Sequence, residues 1–202
     1  MSVVDFYFTI NEPVLGELKD KGSKFKAYLF PVKSEESFKS QLNFIKEQEP
    51  NARHHCWAFI LGESADFQKS NDDGEPRNTA GAPILRALVS SGLTNLACVV
   101  VRYFGGTKLG VPGLIAAYGG SAELAVANAP KIKRIISEEL ILSTSYEHMA
   151  LVERMIKIYD ADVVAREQRE RVTYTLTIRR SLFGEAMDYV KKNHHITIHT
   201  DR

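Results

Sequence analysis

The order of hydrophobic and polar residues along the first half of the chain predicts alternating strands and helices. Side chains alternate over residues 24–31, which is the period of a strand with one buried face. Ser34 is a typical helix N-cap, and apolar residues at helical spacing follow it as far as Pro50, which ends the helix. Two apolar runs, residues 56–61 and 96–102, have the composition of buried strands. This order is typical of an α/β domain.

Two further segments of the first half have the composition of loops. Residues 63–83 are polar and rich in turn-forming residues. Because most connections between elements are shorter, a loop of this length is a candidate functional segment. A helix is predicted over residues 84–91. The segment 105–113 is rich in glycine, and Pro112 suits the first turn of a helix that runs to about Ala129.

The second half of the chain has its own regular pattern, in the order strand, helix, strand, strand, helix, strand. These elements are predicted at residues 138–143, 144–159, 162–167, 172–179, 181–193 and 195–200. Thr144 and Glu147 have the spacing of a capping box, and Ser181 is placed to cap the second helix. The order βαββαβ is that of a ferredoxin-like domain. The basic stretch between the halves predicts domains over residues 1–132 and 137–202.

One face of the second domain is predicted to lie open. The strand over residues 172–179 alternates apolar residues with threonines, so Thr173, Thr175 and Thr177 share the face that the helices leave uncovered. An RNA-recognition sheet carries exposed aromatic residues for base stacking, whereas Tyr174 falls in the apolar set. The threonine face is therefore a candidate surface for a protein partner or for dimerisation.

Composition narrows the classes of function. The 202 residues include 26 Lys and Arg against 25 Asp and Glu, a formal net charge of +1, and 44% are hydrophobic. Such a chain has a core but lacks the basic excess of histone-like proteins, so an anion site must be a local patch. The longest wholly apolar run is far shorter than the roughly 20 residues of a membrane span. The sequence shows no signal peptide. Cys56 and Cys98 lie in apolar runs that are typical of buried, reduced thiols. We therefore expect a cytoplasmic protein.

The first candidate site is the run Arg53-His54-His55-Cys56. Adjacent residues of a strand point to opposite faces, so His54 and His55 cannot easily share one metal ion. The sequence lacks the other ligands of a zinc site, and no metal is predicted. A pairing of one histidine with a carboxylate of the polar loop is the favoured interpretation.

The second candidate is the acidic part of that loop, Asp72, Asp73 and Glu75, with Thr79 placed to cap the helix near Pro83. Asn, Asp and Gly together are typical of turns in which side chains bond their own backbone. Two interpretations stay open. The loop either caps itself in solvent, or it forms a polar cluster beside His54 or His55.

The third candidate is a strand that runs into a glycine-rich loop and then a helix. Amide groups converge at such a helix N-terminus, and the helix dipole adds positive charge, so the arrangement favours an anion. The candidate anion- or RNA-binding residues are Arg102, Tyr103, Gly105, Gly106, Lys108, Gly110 and Gly113. The alternative is that these glycines only permit tight turns. Gly119 and Gly120, in the following helix, predict close approach of another backbone.

Together the segments ARHHCWA (52–58), NDDGEPRNTAGAP (71–83) and VVRYFGGTKLGVPGLIAAYGG (100–120) resemble the IMPACT/YigZ family. The resemblance implies a first domain like domain IV of elongation factor G and a ferredoxin-like second domain like its domain V. Eukaryotic relatives regulate translation by means of an additional N-terminal domain that is not expected here, so their pathway is not carried over to this sequence. For bacterial members the resemblance suggests nucleic-acid or ribosome binding, by analogy of fold.

These observations favour a non-enzymatic regulatory factor that binds RNA or the ribosome, with no cofactor. Arg53 and Arg77 are neighbours of the proposed anion loop. One alternative is an enzyme acting on a phosphorylated small molecule, with a histidine or acidic residue as general base, although no catalytic residue is assigned. Another is a protein-interaction module that uses the threonine face. The sequence leaves the oligomeric state open.

Overall fold

The computed structural model describes residues 4–199, which form two compact units. The first unit spans residues 7–134, and the second combines residues 4–6 with residues 135–199. The helices of the described range are α1 (Glu35–Gln48), α2 (Gly81–Ser90), α3 (Gly110–Asn128), α4 (Met149–Tyr159) and α5 (Arg180–Lys192). The strands are β1 (Phe6–Ile10), β2 (Val14–Asp20), β3 (Ser23–Pro31), β4 (His54–Leu61), β5 (Phe67–Asn71), β6 (Leu96–Tyr103), β7 (Lys131–Ile135), β8 (Ser137–Thr144), β9 (Asp162–Gln168), β10 (Val172–Arg179) and β11 (Ile196–His199).

A five-stranded antiparallel sheet organises the first unit, in the order β2-β3-β6-β4-β5. Helices cover both of its faces, with α2 and α3 on one core and α1 on the other. Because β6 lies centrally and is buried on both sides, its sequence is a continuous apolar run rather than an alternation. The strands β1 and β7 form a separate two-stranded sheet.

Two features of the first unit differ from the sequence prediction. The predicted loop over residues 63–83 contains β5, whose five side chains are all exposed, so no hydrophobic alternation marks it. An added Cβ at Gly119 would lie 3.6 Å from Cβ and 3.9 Å from the carbonyl oxygen of Pro83, an ordinary contact, whereas at Gly120 it would meet only the side chain of Leu18. The close backbone approach occurs at Gly16 of β2, where an added Cβ would lie 2.6 Å from the amide nitrogen of Ala125 in α3.

The second unit confirms the βαββαβ prediction. Its antiparallel sheet has the order β11-β8-β10-β9, and α4 and α5 cover one face. Strand β10 alternates as expected, since Tyr174 and the other apolar residues are buried while the threonines between them are half-buried. The unit is therefore a ferredoxin-like domain.

The two predicted helix caps of this unit are wrong. Thr144 is the last residue of β8, and its hydroxyl donates to the carbonyl of His195 at 3.0 Å. Ser181 lies inside α5 and donates to the carboxylate of Asp5 at 2.6 Å, which lowers the pKa of that carboxyl. Both hydroxyls instead tie together segments distant in sequence, which local spacing does not reveal. Thr200, at the end of the predicted last strand, lies outside the described residues.

Two further expectations concern thiols and membranes. Cys56 and Cys98 are both free and buried. Burial raises the pKa of the Cys56 thiol to about 12, and its Sγ donates to the carbonyl of Asp72 at 2.9 Å. Neither thiol has the exposure and lowered pKa of a reactive cysteine. Across residues 4–199, every helix is too short or too polar to cross a bilayer.

Candidate functional site

The three candidate segments meet at one end of the five-stranded sheet. His54, at the start of β4, pairs with Arg102, near the end of β6. The acidic loop after β5 reaches both residues. Nδ1 of His54 lies 2.8 Å from the carbonyl of Asp73, and Nη1 of Arg102 lies 2.6 Å from Oε1 of Glu75. The antiparallel pairing of β4 with β6 therefore brings residues about 50 positions apart into one site.

Asp72 caps α2 from a distance of nine residues. One carboxylate oxygen accepts from the amides of Ala80 and Gly81 at 3.0 and 2.8 Å, and the other accepts from the amide of Asn78 at 2.8 Å. A carboxylate here satisfies the free amides and complements the helix dipole. The predicted cap at Thr79 is wrong, because its hydroxyl donates to the carbonyl of Pro76.

Asp73 joins the loop to the histidine pair. Its Oδ2 accepts from the amide of His55 at 2.7 Å, and its own amide donates to Oδ1 of Asn71 at 2.7 Å. The residue has a φ of 42°, a left-handed conformation that Asp tolerates better than most residues. The loop thus caps itself and also lies beside the histidines, so both open interpretations describe part of it.

His54 and His55 point to opposite faces, as predicted. His54 borders the pocket described below, whereas His55 is 7% exposed on the α1 side. Nε2 of His55 is buried and has no hydrogen-bond partner within residues 4–199. Within the same range, no three His, Cys, Asp or Glu side chains are grouped as metal ligands would be.

The buried imidazole of His55 predicts acid sensitivity of the first unit. Burial lowers the pKa of His55 below 6.5, partly opposed by Asp73 and Glu49 and assisted by Lys46. The unfolded chain therefore binds the proton more readily, so the stability due to neutral His55 is present above about pH 6.5 and is lost as the pH falls below it. We expect the free energy of unfolding to fall between about pH 7.5 and about pH 5.5, and to fall less in His55→Gln. Denaturant titration at both pH values measures this, and equal falls in the two proteins would contradict it.

Arg102 forms a buried ion pair that the sequence did not predict. Its side chain is 10% exposed and that of Glu75 4% exposed. The hydroxyl of Tyr118, in α3, donates to the same Oε1 at 2.8 Å. Burial raises the pKa of Tyr118, which keeps this hydroxyl protonated as a donor. Because Glu75 compensates its charge, Arg102 holds the acidic loop against β6 and is not a free cation.

A pocket of about 710 Å³ opens over this ion pair. Arg53 and Lys108 border it as exposed cations, and within residues 4–199 neither has an acidic partner. Gly110 and Val111, in the first turn of α3, also border it, and the N-cap residue Leu109 supplies no side-chain hydrogen bond. Free amides and uncompensated cations around one pocket are the features of an anion site.

The glycines of the third segment have structural causes. Gly105 lies against Gly22, and an added Cβ would stand 1.8 Å from the Gly22 carbonyl carbon. Gly106 and Gly110 have φ values of 90° and 70°. At Gly113 an added Cβ would lie 2.9 Å from Cβ of Leu109. These glycines shape the loop, and the loop in turn presents Lys108 and the start of α3.

Sequence reasoning missed a second buried carboxylate near the site. Glu49, at the end of α1, accepts from Lys26 at 2.6 Å and from the hydroxyls of Tyr28 and Tyr103. Although burial opposes its ionisation, these bonds lower the pKa of Glu49 to about 2. Tyr103 therefore borders the pocket while its hydroxyl anchors β6 to α1. No spacing rule links Glu49 to these strands, so this cluster carried no sequence signal.

Comparison with known proteins is consistent with this architecture. A model of the Impact N-terminal domain matches residues 21–126. The IMPACT family member YvyE of Bacillus subtilis is 37% identical over 151 residues, which cover 75% of this chain and 70% of the relative. The IMPACT family member YigZ of Escherichia coli is 34% identical over 146 residues, covering 71% and 72%. The crystal structure of a hypothetical protein superposes with a TM-score of 0.72 at 26% identity, covering 99% of each chain.

Proposed function

Because this chain belongs to the IMPACT family, we propose that it is a non-enzymatic factor in translation regulation whose pocket binds the phosphate groups of RNA, free or in the ribosome. The observation that carries the proposal is the pair of uncompensated cations, Arg53 and Lys108, beside the free amides of α3. Such groups bind phosphate without reading sequence. The link to translation comes from the ribosome binding that the family resemblance suggests.

The acidic residues of the loop have structural roles that account for them without assigning catalysis to any of them. Asp72 and Asp73 accept hydrogen bonds from backbone amides, and Glu75 is ion-paired with Arg102. These contacts explain why the three acidic residues are present, because each of them helps to hold the loop in place.

The proposal predicts a local effect of the two free cations on RNA affinity. We expect the Arg53→Ala, Lys108→Ala double variant to bind RNA more weakly. The slope of log K against log salt should become less steep by about 1 to 2, because a phosphate contact that is lost no longer contributes to counterion release. Fluorescence anisotropy with labelled RNA at several salt concentrations measures the slope. Co-sedimentation with ribosomes and their subunits at two salt concentrations extends the measurement to the assembled particle.

The control is a double variant of equal charge change, Lys39→Ala with Arg86→Ala, on exposed cations of α1 and α2 outside the pocket. It should leave the slope near that of the wild type. Equal slopes in all three proteins would remove the pocket from the proposal, and absence of RNA binding at low salt would overturn it. Arg102 is unsuitable for this test, since its removal breaks a buried ion pair.

A further inference from the structure

Phe104 is an exposed aromatic residue on the border of the same pocket. It is 58% exposed and directly precedes the glycine turn of the loop. Single exposed apolar side chains are common on protein surfaces, so exposure alone indicates nothing. Phe44, on α1, is similarly exposed at 56% and does not border the pocket. What distinguishes Phe104 is the set of groups around it.

A buried guanidinium positions the ring of Phe104. The guanidinium carbon of Arg102 lies 5.6 Å from the ring centroid, within the range of a cation–π contact. Arg102 is itself fixed by Glu75, and its buried Nε has no hydrogen-bond partner within residues 4–199. The ring is therefore supported from the protein side, while more than half of the residue's surface stays open to solvent.

The pocket places two kinds of chemistry side by side. Phe104 and Val111, which is 52% exposed, offer apolar surface. Lys108 and the amides at the start of α3 favour an anion. A nucleotide unit has the same two parts, a flat apolar base and a phosphate, and a volume of about 710 Å³ lies in the range of small-ligand pockets.

Resting on the proposed function, we infer that this pocket takes a single-stranded segment of RNA, with an unpaired base stacked on Phe104 and the adjoining phosphate beside Lys108. Bases in a duplex are already stacked on one another and cannot lie on a side chain, whereas every unpaired base presents a free face. Arg53 and Lys108 allow only a few phosphate contacts, and a base contact adds to the affinity that these supply.

The test compares one labelled RNA strand, free and annealed to its complement, by fluorescence anisotropy. The wild type should bind the single strand more tightly than the duplex, although the duplex carries twice the phosphate charge. Phe104→Ala should weaken single-strand binding about five- to 150-fold, the effect of losing one base–aromatic stack. Its salt slope should stay at the wild-type value, because no phosphate contact is lost.

Two variants separate stacking from a general disturbance of the loop. Phe104→Trp should restore binding, since a larger aromatic face stacks at least as well, and Phe44→Ala should bind like the wild type. An RNA that carries 2-aminopurine gives a direct signal, because stacking on a ring changes its fluorescence. That change should occur with the wild type and with Phe104→Trp, and should be lost with Phe104→Ala.

The outcomes distinguish this inference from the function on which it rests. Equal binding of single strand and duplex, or an unchanged affinity in Phe104→Ala, would overturn the base contact while the salt slopes of the cation variants still support phosphate binding. Failure of the wild type to bind either RNA at low salt would overturn the proposed function and the base contact with it.

Discussion

Replacing Glu75 by alanine is expected to lower the free energy of unfolding of the first unit by about 3–5 kcal/mol. The variant leaves the guanidinium of Arg102 in a site where its side chain is 10% exposed and has lost its counter-ion. It also removes the acceptor of the Tyr118 hydroxyl, 2.8 Å away. Burying a charge without a partner costs far more than losing a surface contact, because water can no longer solvate it.

Fluorescence of Trp57, the single tryptophan, reports the unfolding of this unit because it lies in β4. The matched control is Glu17→Ala, which breaks an ion pair with Lys24 whose side chains are 40% and 35% exposed, and should cost at most about 1 kcal/mol. Glu75→Leu combined with Arg102→Leu should recover much of the loss, since it leaves no unpaired charge. A loss in Glu75→Ala no greater than that in Glu17→Ala would contradict the structural role of the pair.

The elements that could be predicted from the sequence are those whose side chains alternate or repeat around a core. Strand β10 and helix α1 show such periods, and both were predicted nearly to their ends. All five residues of strand β5 are exposed, so its sequence shows no period of buried and exposed positions. The caps failed for a related reason. Thr144 and Ser181 have cap-like local spacing, but their hydroxyls bond to residues far along the chain.

The segments of the candidate site were predicted, whereas the role of each residue within them was not. Local composition marks a loop as acidic or glycine-rich, because turn chemistry depends on neighbouring residues. It does not show that Glu75 lies against Arg102, 27 residues on. That pairing makes Arg102 a buried partner rather than a free cation, and it leaves Arg53 and Lys108 to carry the proposed anion binding.

Substituting alanine for Gly105 is expected to destabilise the first unit by more than about 3 kcal/mol, because the added methyl has no space. An added Cβ would lie 1.8 Å from the carbonyl carbon of Gly22 and 2.2 Å from the amide nitrogen of Ser23. These are backbone atoms of the turn between β2 and β3, so no side-chain rotation relieves the clash. Either the turn or the loop after β6 must move.

The variant Gly106→Ala distinguishes two causes of lost stability, a steric clash of the added methyl group and an unfavourable backbone conformation. Gly106 has a φ of 90° and no atom within 4 Å of an added Cβ, so its substitution should cost only about 1–2 kcal/mol for the left-handed conformation. Urea unfolding of both variants, monitored by Trp57 fluorescence, measures the difference in stability. Equal losses would contradict the close approach of Gly105 to Gly22.

Because the contact between Gly105 and Gly22 holds the loop that carries Phe104 and Lys108, Gly105→Ala should also weaken RNA binding under conditions where the variant remains folded. Gly106→Ala should retain more of that binding, since the backbone contact that anchors the loop stays intact.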